Sequence, residues 1–189
     1  MLSDQFVLDI LDNKKNGYYV ELGGADPIEG SNTYSLETKY GWKGVSFDWN
    51  EKHAENFNQL RENPCLAENA LTFDHRKYFE ENNFPERIDY LQVDVDTGYT
   101  AGGRPISNPA ANLLGLISLP LNSYRFSVIT FEHDALIHFK LGSVRDAARE
   151  ILDGLGYSLV QRHTWEDWWV DPEISHYMTY RKHFIALAP

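Results

Sequence analysis

The chain carries a single cysteine, Cys65. An internal disulfide and a multi-thiolate zinc site are therefore both excluded, and metal ligation is left to carboxylates and histidines. Cys65 itself reads as a small buried hydrophobe. No run approaches the ~18 uninterrupted apolar residues of a membrane span, and no basic start precedes an apolar stretch in residues 1–17. The expectation is a cytoplasmic chain with no membrane partner and no secretion signal. Basic residues are in short supply, with 17 Lys and Arg against 28 Asp and Glu and a net charge of −11. That balance opposes attraction to phosphate backbones or anionic lipid, so no nucleic-acid partner is expected. A complete G-x-G-x-x-G is also missing, and with it the loop that cradles a dinucleotide's pyrophosphate. Repeats, low-complexity runs and linkers are absent as well.

What is present suits one globular unit. The 189 residues are 42% hydrophobic and 14% aromatic, enough apolar area to offset the entropy of ordering. The expectation is a single domain over 1–189, with its core at about 17–172 and a tail, 173–189, left unassigned. Short β-branched and aromatic runs alternate with polar segments of helical period, which predicts an α/β fold with a largely parallel sheet. Strands are expected at 18–24, 44–49, 65–70, 88–96 and 126–134, with further strands in YSLVQRH and DWWV. Helices are expected after caps at Ser31 or Asn32, at Asn50, at Asp74 and at Asn108-Pro109, and after a Ser143/Asp146 capping box. The Gly-rich stretch 97–107 reads as a loop and a candidate substrate gate, with linker-like slack as the alternative.

In open parallel sheets ligands bind outside the carboxyl ends of the strands. The polar residues predicted there are Glu21 to Gly24, Asp48, Asn69, Asp94 with Asp96, and Glu132 to Asp134. A lone acid at a strand end is as often a solvated or capping group, but several in register point to a site. Gly23 and Gly24, followed by a helix near Ser31, supply a tight turn where a ligand can approach bare backbone. Asp48 follows Gly23 by 25 residues, where an acid can accept both ribose hydroxyls of an adenosine cofactor.

The succession GYYVELGGADP, SNTYSLETKYGWKGVSFDWN, IDYLQVDVD, SVITFEHD and ILDGLGY resembles the FkbM-type methyltransferases of the class I S-adenosylmethionine-dependent fold, over about residues 17–172. The resemblance implies a Rossmann-like sheet, mostly parallel with one antiparallel strand, and helices on both faces. It implies S-adenosylmethionine as cofactor and a hydroxyl on a small acceptor, a sugar or glycan-related molecule, as methyl acceptor. By motif, Glu21, Gly23 and Gly24 match the first cofactor segment and Asp48 the ribose-binding acid. Asn69 and Ala70 match the adenine contact, and Ser31 and Asn32 the segment closing over the methionine end. Two places depart from the pattern. Asp26-Pro27, with Gly30 three residues later, replaces a further glycine, and Asp94-Val95-Asp96-Thr97-Gly98 replaces Asp-x-Glu-Gly.

Metal-using relatives of that fold draw carboxylates from the ends of the fourth and fifth strands. Asp94, Glu132 and His133 occupy similar positions, so a divalent cation such as magnesium is one expectation, orienting a hydroxyl and lowering its pKa. His133 as a metal-free general base, with Asp94 beside it, is the second, and a hydrogen-bonded structural histidine the third. His75, His138 and His163 read as surface or packing groups. Trp165, Trp168 and Trp169 read as core filling or as a platform for a sugar face. So short a chain leaves acceptor recognition to residues 97–107, the tail or a second copy in a homo-oligomer. Two other functions are compatible with the residues: a nucleotide-dependent Rossmann oxidoreductase or sugar-modifying enzyme, and a noncatalytic cofactor-binding module.

Overall fold

The computed structural model describes residues 3–95, 97–99, 105–135 and 142–174. The alternation read from the sequence is there: β1 (Tyr18–Leu22), α2 (Tyr34–Tyr40), β2 (Lys43–Phe47), α3 (Glu51–Leu60), β3 (Cys65–Leu66), α4 (His75–Glu81) and β4 (Arg87–Val93). After a small antiparallel pair, β5 (Thr97–Tyr99) with β6 (Pro105–Ser107), come α5 (Pro109–Ser118), β7 (Arg125–Glu132), α6 (Gly142–Gly154), β8 (Ser158–Arg162) and β9 (Glu166–Val170). Seven strands form one sheet in the order β3-β2-β1-β4-β7-β9-β8. Within it β9 runs antiparallel to both its neighbours, and the other pairings are parallel.

The chain moves outward from β1 to β3 and then returns to β4, so β1 and β4 flank the point where the strand order reverses. A crevice opens above such a point because the crossover helices leave it on opposite faces. The central strands β1, β4 and β7 are buried on both sides. Val20 and Leu22 pack with Phe79, Leu116 and Leu152 from α4, α5 and α6, while Tyr19 packs with Leu36 of α2 and with Phe6.

Phe6 belongs to a helix that the sequence reading did not assign, α1 (Ser3–Ile10). Phe6, Val7 and Ile10 are fully buried, and the Phe6 ring stacks on Trp168 at 4.4 Å between centroids. Each such side chain contributes about 1.5–3 kcal/mol, so the core begins well before residue 17. Four local expectations also change. Strand β3 stops at Leu66 because Asn69 turns the chain, its Oδ1 accepting from Leu71 N at 3.0 Å. Ser143 lies inside α6, so it is not that helix's cap. Thr97 to Tyr99 and Pro105 to Ser107 pair as strands where a loop is expected, residues 100–104 being outside the described residues. Trp168 and Trp169 are core, and Trp165 is exposed, so the three do not form a platform. Among the described residues no helix is long and apolar enough to cross a membrane.

Candidate functional site

The carboxyl ends of β1, β2 and β4 are tied together by backbone hydrogen bonds. The amides of Gly23 and Gly24 donate to Phe47 O, Asp94 N donates to Leu22 O, and Asp48 N donates to Leu66 O, all at 2.8–3.0 Å. Gly23 has φ +100°, and a Cβ there would lie 1.8 Å from Asp94 O. Only a residue without a side chain lets these two strand ends approach so closely. Above them lies a cavity of about 430 Å³. Its wall runs from Gly23 and Ala25 through Asp48, Trp49 and His53 to Asn69, Ala70 and Asp94, with Phe47 and Leu71 beneath.

Asp48 directly follows β2 and is held by the protein on both carboxylate oxygens. Its Oδ2 accepts from Ala25 N at 3.1 Å and lies 3.1 Å from His53 Nδ1, and its Oδ1 accepts from Asn50 N at 2.8 Å. A carboxylate has about four acceptor sites, so most of Asp48's capacity is in use. Asn50 caps α3, its side chain accepting from Lys52 N, and the first turn of that helix carries His53 back toward Asp48. Trp49 extends from the rim with 66% of its surface exposed.

Behind the cavity Glu21 is buried on the α2 face of the sheet. It accepts from Thr33 Oγ1 at 3.1 Å on both oxygens and from Ser46 Oγ. Burial pushes its carboxyl up to about 7; the Ser46, Arg61 and Thr33 groups offset part of that rise, and the charge of Asp94 adds to it. Asn112 on α5, fully buried, ties the end of β4 to the end of β7: its Oδ1 accepts from Val95 N at 2.6 Å and its Nδ2 donates to Glu132 O at 3.1 Å.

The structure brings together Gly23, Asp48, Asn69, Ala70 and Asp94 of the residues singled out by sequence. Among the described residues, Glu21, Gly24, Ser31 and Asn32 stand outside the cavity wall. Gly24 packs toward Cys65 and Ser46. Ser31 Oγ accepts from the amides of Thr33 and Tyr34, so it caps α2 from a position before Thr33. Asp96 and His138 lie outside the described residues. Eight wall residues, Ala25, Phe47, Trp49, Asn50, His53, Glu68, Leu71 and Val95, were not among the site residues read from the sequence. The signal for two was local, since a cap at Asn50 directly after a strand-end acid puts the next residues at the same rim.

The metal and base readings of His133 do not survive. The ring is buried, Nδ1 accepts from Ala135 N at 3.1 Å, and Nε2 is 3.6 Å from Asp167 Oδ1. Asp167 is held in turn by a bidentate Arg149 at 2.6 and 2.8 Å. The histidine is therefore packed into the antiparallel edge of the sheet, away from the cavity. Among the described residues no three His, Cys, Asp or Glu side chains converge as a metal site, so Asp94, Glu132 and His133 are not a ligand set.

No protein-family model matches the chain, and no curated protein matches it by sequence. In three dimensions it is similar to the N-methyltransferase NodS from Bradyrhizobium japonicum, with TM-score 0.52 and 14% identity over 90% of this chain and 94% of that one. It is similar to an O-methyltransferase from Bacillus cereus in complex with SAH, with TM-score 0.50 and 17% identity over 88% and 76%. It is also similar to Aeropyrum pernix fibrillarin with natively bound S-adenosyl-L-methionine, with TM-score 0.51 and 11% identity over 89% and 76%. The chain thus has the Rossmann-like fold of class I S-adenosylmethionine-dependent methyltransferases.

Proposed function

We propose that the chain is an S-adenosylmethionine-dependent methyltransferase acting on a hydroxyl of a small acceptor, a sugar or glycan-related molecule. The observation that carries this reading is the cavity at the strand-order reversal, with Asp48 at its β2 wall and the bare backbone of Gly23 against Asp94 at its floor. When bound, the cofactor supplies a sulfonium methyl whose carbon–sulfur bond breaks, the electron pair staying on sulfur, as the new oxygen–carbon bond forms. Asp48 accepts from the ribose hydroxyls. Phe47, Ala70 and Leu71 give an adenine ring apolar contact, with Asn69 beside them for its polar edge. Gly23 keeps the floor free of a side chain, so that the methionine end lies against backbone. Asp94, on the cavity wall, receives the acceptor's proton in this reading. Positioning and deprotonation are then the protein's main tasks.

The hydroxyl and carbohydrate parts of this reading rest on the FkbM-type resemblance, since structures of the same fold include N- and O-methyltransferases. Calorimetric titration with S-adenosylhomocysteine tests the cofactor. One-to-one binding is expected, weakened by Asp48→Ala; binding of a nicotinamide dinucleotide in its place would favour an oxidoreductase and overturn the proposal.

A further inference from the structure

The segment between β1 and α2 holds Asp26-Pro27 between its glycines, Gly23 and Gly24 on one side and Gly30 on the other, and its path is tightly defined. Ala25 has φ +34° and Gly30 φ +74°. Asp26 Oδ1 accepts from the amides of Ile28 and Glu29 at 2.9 and 2.7 Å, and Ala25 N reaches Asp48. The remaining tether comes from outside the loop, from Arg61 just past the end of α3. Its guanidinium is fully buried, which is costly unless every donor is matched.

Here every donor is matched. Nε donates to Glu37 Oε2 at 2.8 Å; one terminal nitrogen donates to Pro27 O at 2.9 Å and Ser31 Oγ at 3.3 Å; the other donates to Thr33 Oγ1 at 3.1 Å and Tyr19 OH at 3.3 Å. The Phe57 ring lies 4.6 Å and the Tyr34 ring 5.5 Å from the guanidinium carbon. Thr33, one of its acceptors, also donates to Glu21, so the same cation is joined to the acid at the end of β1. A planar fork of five donors makes this set of contacts; a lysine, with three donors on a flexible stem, does not.

We propose that Arg61 is a positioning residue for cofactor binding: by holding Pro27 O and Ser31 Oγ it sets the path of the loop whose Gly23 and Ala25 line the cavity. This rests on the cofactor reading above. Arg61 does not line the cavity. It braces from behind a loop whose turns are made at Gly23, Ala25 and Gly30.

The test uses the full chain and two readouts: affinity for S-adenosylhomocysteine, measured well below the unfolding midpoint, and hydrogen exchange of the loop amides without ligand. For Arg61→Lys the expected result is an affinity lower by on the order of tenfold. Exchange should be faster at Ala25, Ile28 and Glu29 and unchanged within β1 and β2. A purely structural brace would lower the midpoint yet leave affinity and loop exchange as in the wild type, and that result overturns the proposal. If Arg61→Lys does not fold, the neutral pair Glu37→Gln/Arg61→Met answers the same question. Failure of both to fold would mark Arg61 as a core residue and equally overturn the role. Absence of binding by the wild type would instead contradict the cofactor reading, while the exchange readout still decides the loop claim.

Discussion

The two edges of the sheet treat their acids differently. At the amino edge each buried acid is locked to a cation. Asp171 accepts from Arg87 and, at 2.8 Å, from Arg125, and Asp89 takes Lys14 at 2.7 Å and Tyr18 N at 2.9 Å. Burial alone would raise the Asp171 carboxyl, but Arg125, Glu173 N and Arg87 outweigh it and bring it down to about 2. At the carboxyl edge the balance tips the other way around the cavity. Burial leads at Glu21 and leaves it near 7, because Arg61 is already committed to Glu37. Matched acids hold strands together; Glu21, buried behind the cavity wall, is held by the Thr33 and Ser46 hydroxyls and, among the described residues, has no cation of its own in hydrogen-bond contact.

Mutations can break that contrast in order of expected size. Gly23→Ala should be the most damaging, on the order of 4 kcal/mol, because a Cβ at positive φ collides with backbone that cannot move aside. Denaturant unfolding would show it, and a loss below about 1 kcal/mol would contradict the close approach of β1 and β4. Asp167→Asn, which strands Arg149 and His133 in the antiparallel edge, should cost about 3 kcal/mol. Cofactor affinity should stay as in the wild type, because that edge is structural. A large affinity loss in a still-folded variant would restore a catalytic role to His133.

The two edges also predict opposite pH dependences. Glu21 is raised above its unfolded value, so the folded state binds more protons and stability falls as pH rises from about 4.5 through 7. The size is roughly 2–3 kcal/mol, and Glu21→Gln should flatten that part of the profile. Asp171 is depressed, so its contribution is full above about 3.8 and is lost as pH falls toward 2. Stability curves for the wild type and Glu21→Gln that superimpose between pH 4.5 and 7 would argue against this assignment. The smallest effect is expected at His53, whose side chain is 43% exposed. If its Nδ1 competes with a ribose hydroxyl for Asp48, His53→Ala should tighten S-adenosylhomocysteine binding by about two- to threefold. Weaker binding would make His53 a ligand contact.

Much of this was legible in the sequence because strand ends announce themselves. The change from Val-Ser-Phe to Asp48 and from Leu-Gln-Val to Asp94 marks where a buried strand meets the crevice, and both acids line it. His133 follows the same kind of transition and misleads. What distinguishes it is Arg149-bound Asp167 from an antiparallel neighbour, a partner that pairing register sets and no local pattern reveals. Arg61 was invisible for the same reason, since its acceptors come from β1, the following loop and α2. Helix α1 was missed although Phe6, Val7 and Ile10 share a face, because eight residues give a short period to read. The Ser31 cap was legible in type but displaced in position, because Thr33, needed by Glu21, takes the place next to the helix.

The most direct measurement is a crystal structure of the chain with S-adenosylhomocysteine. The account predicts the adenosine in the cavity between Asn69 and Trp49, with its ribose hydroxyls on Asp48 and its homocysteine end over Gly23. Ligand density at another place in the fold, or a cavity left empty at saturating ligand, would contradict it.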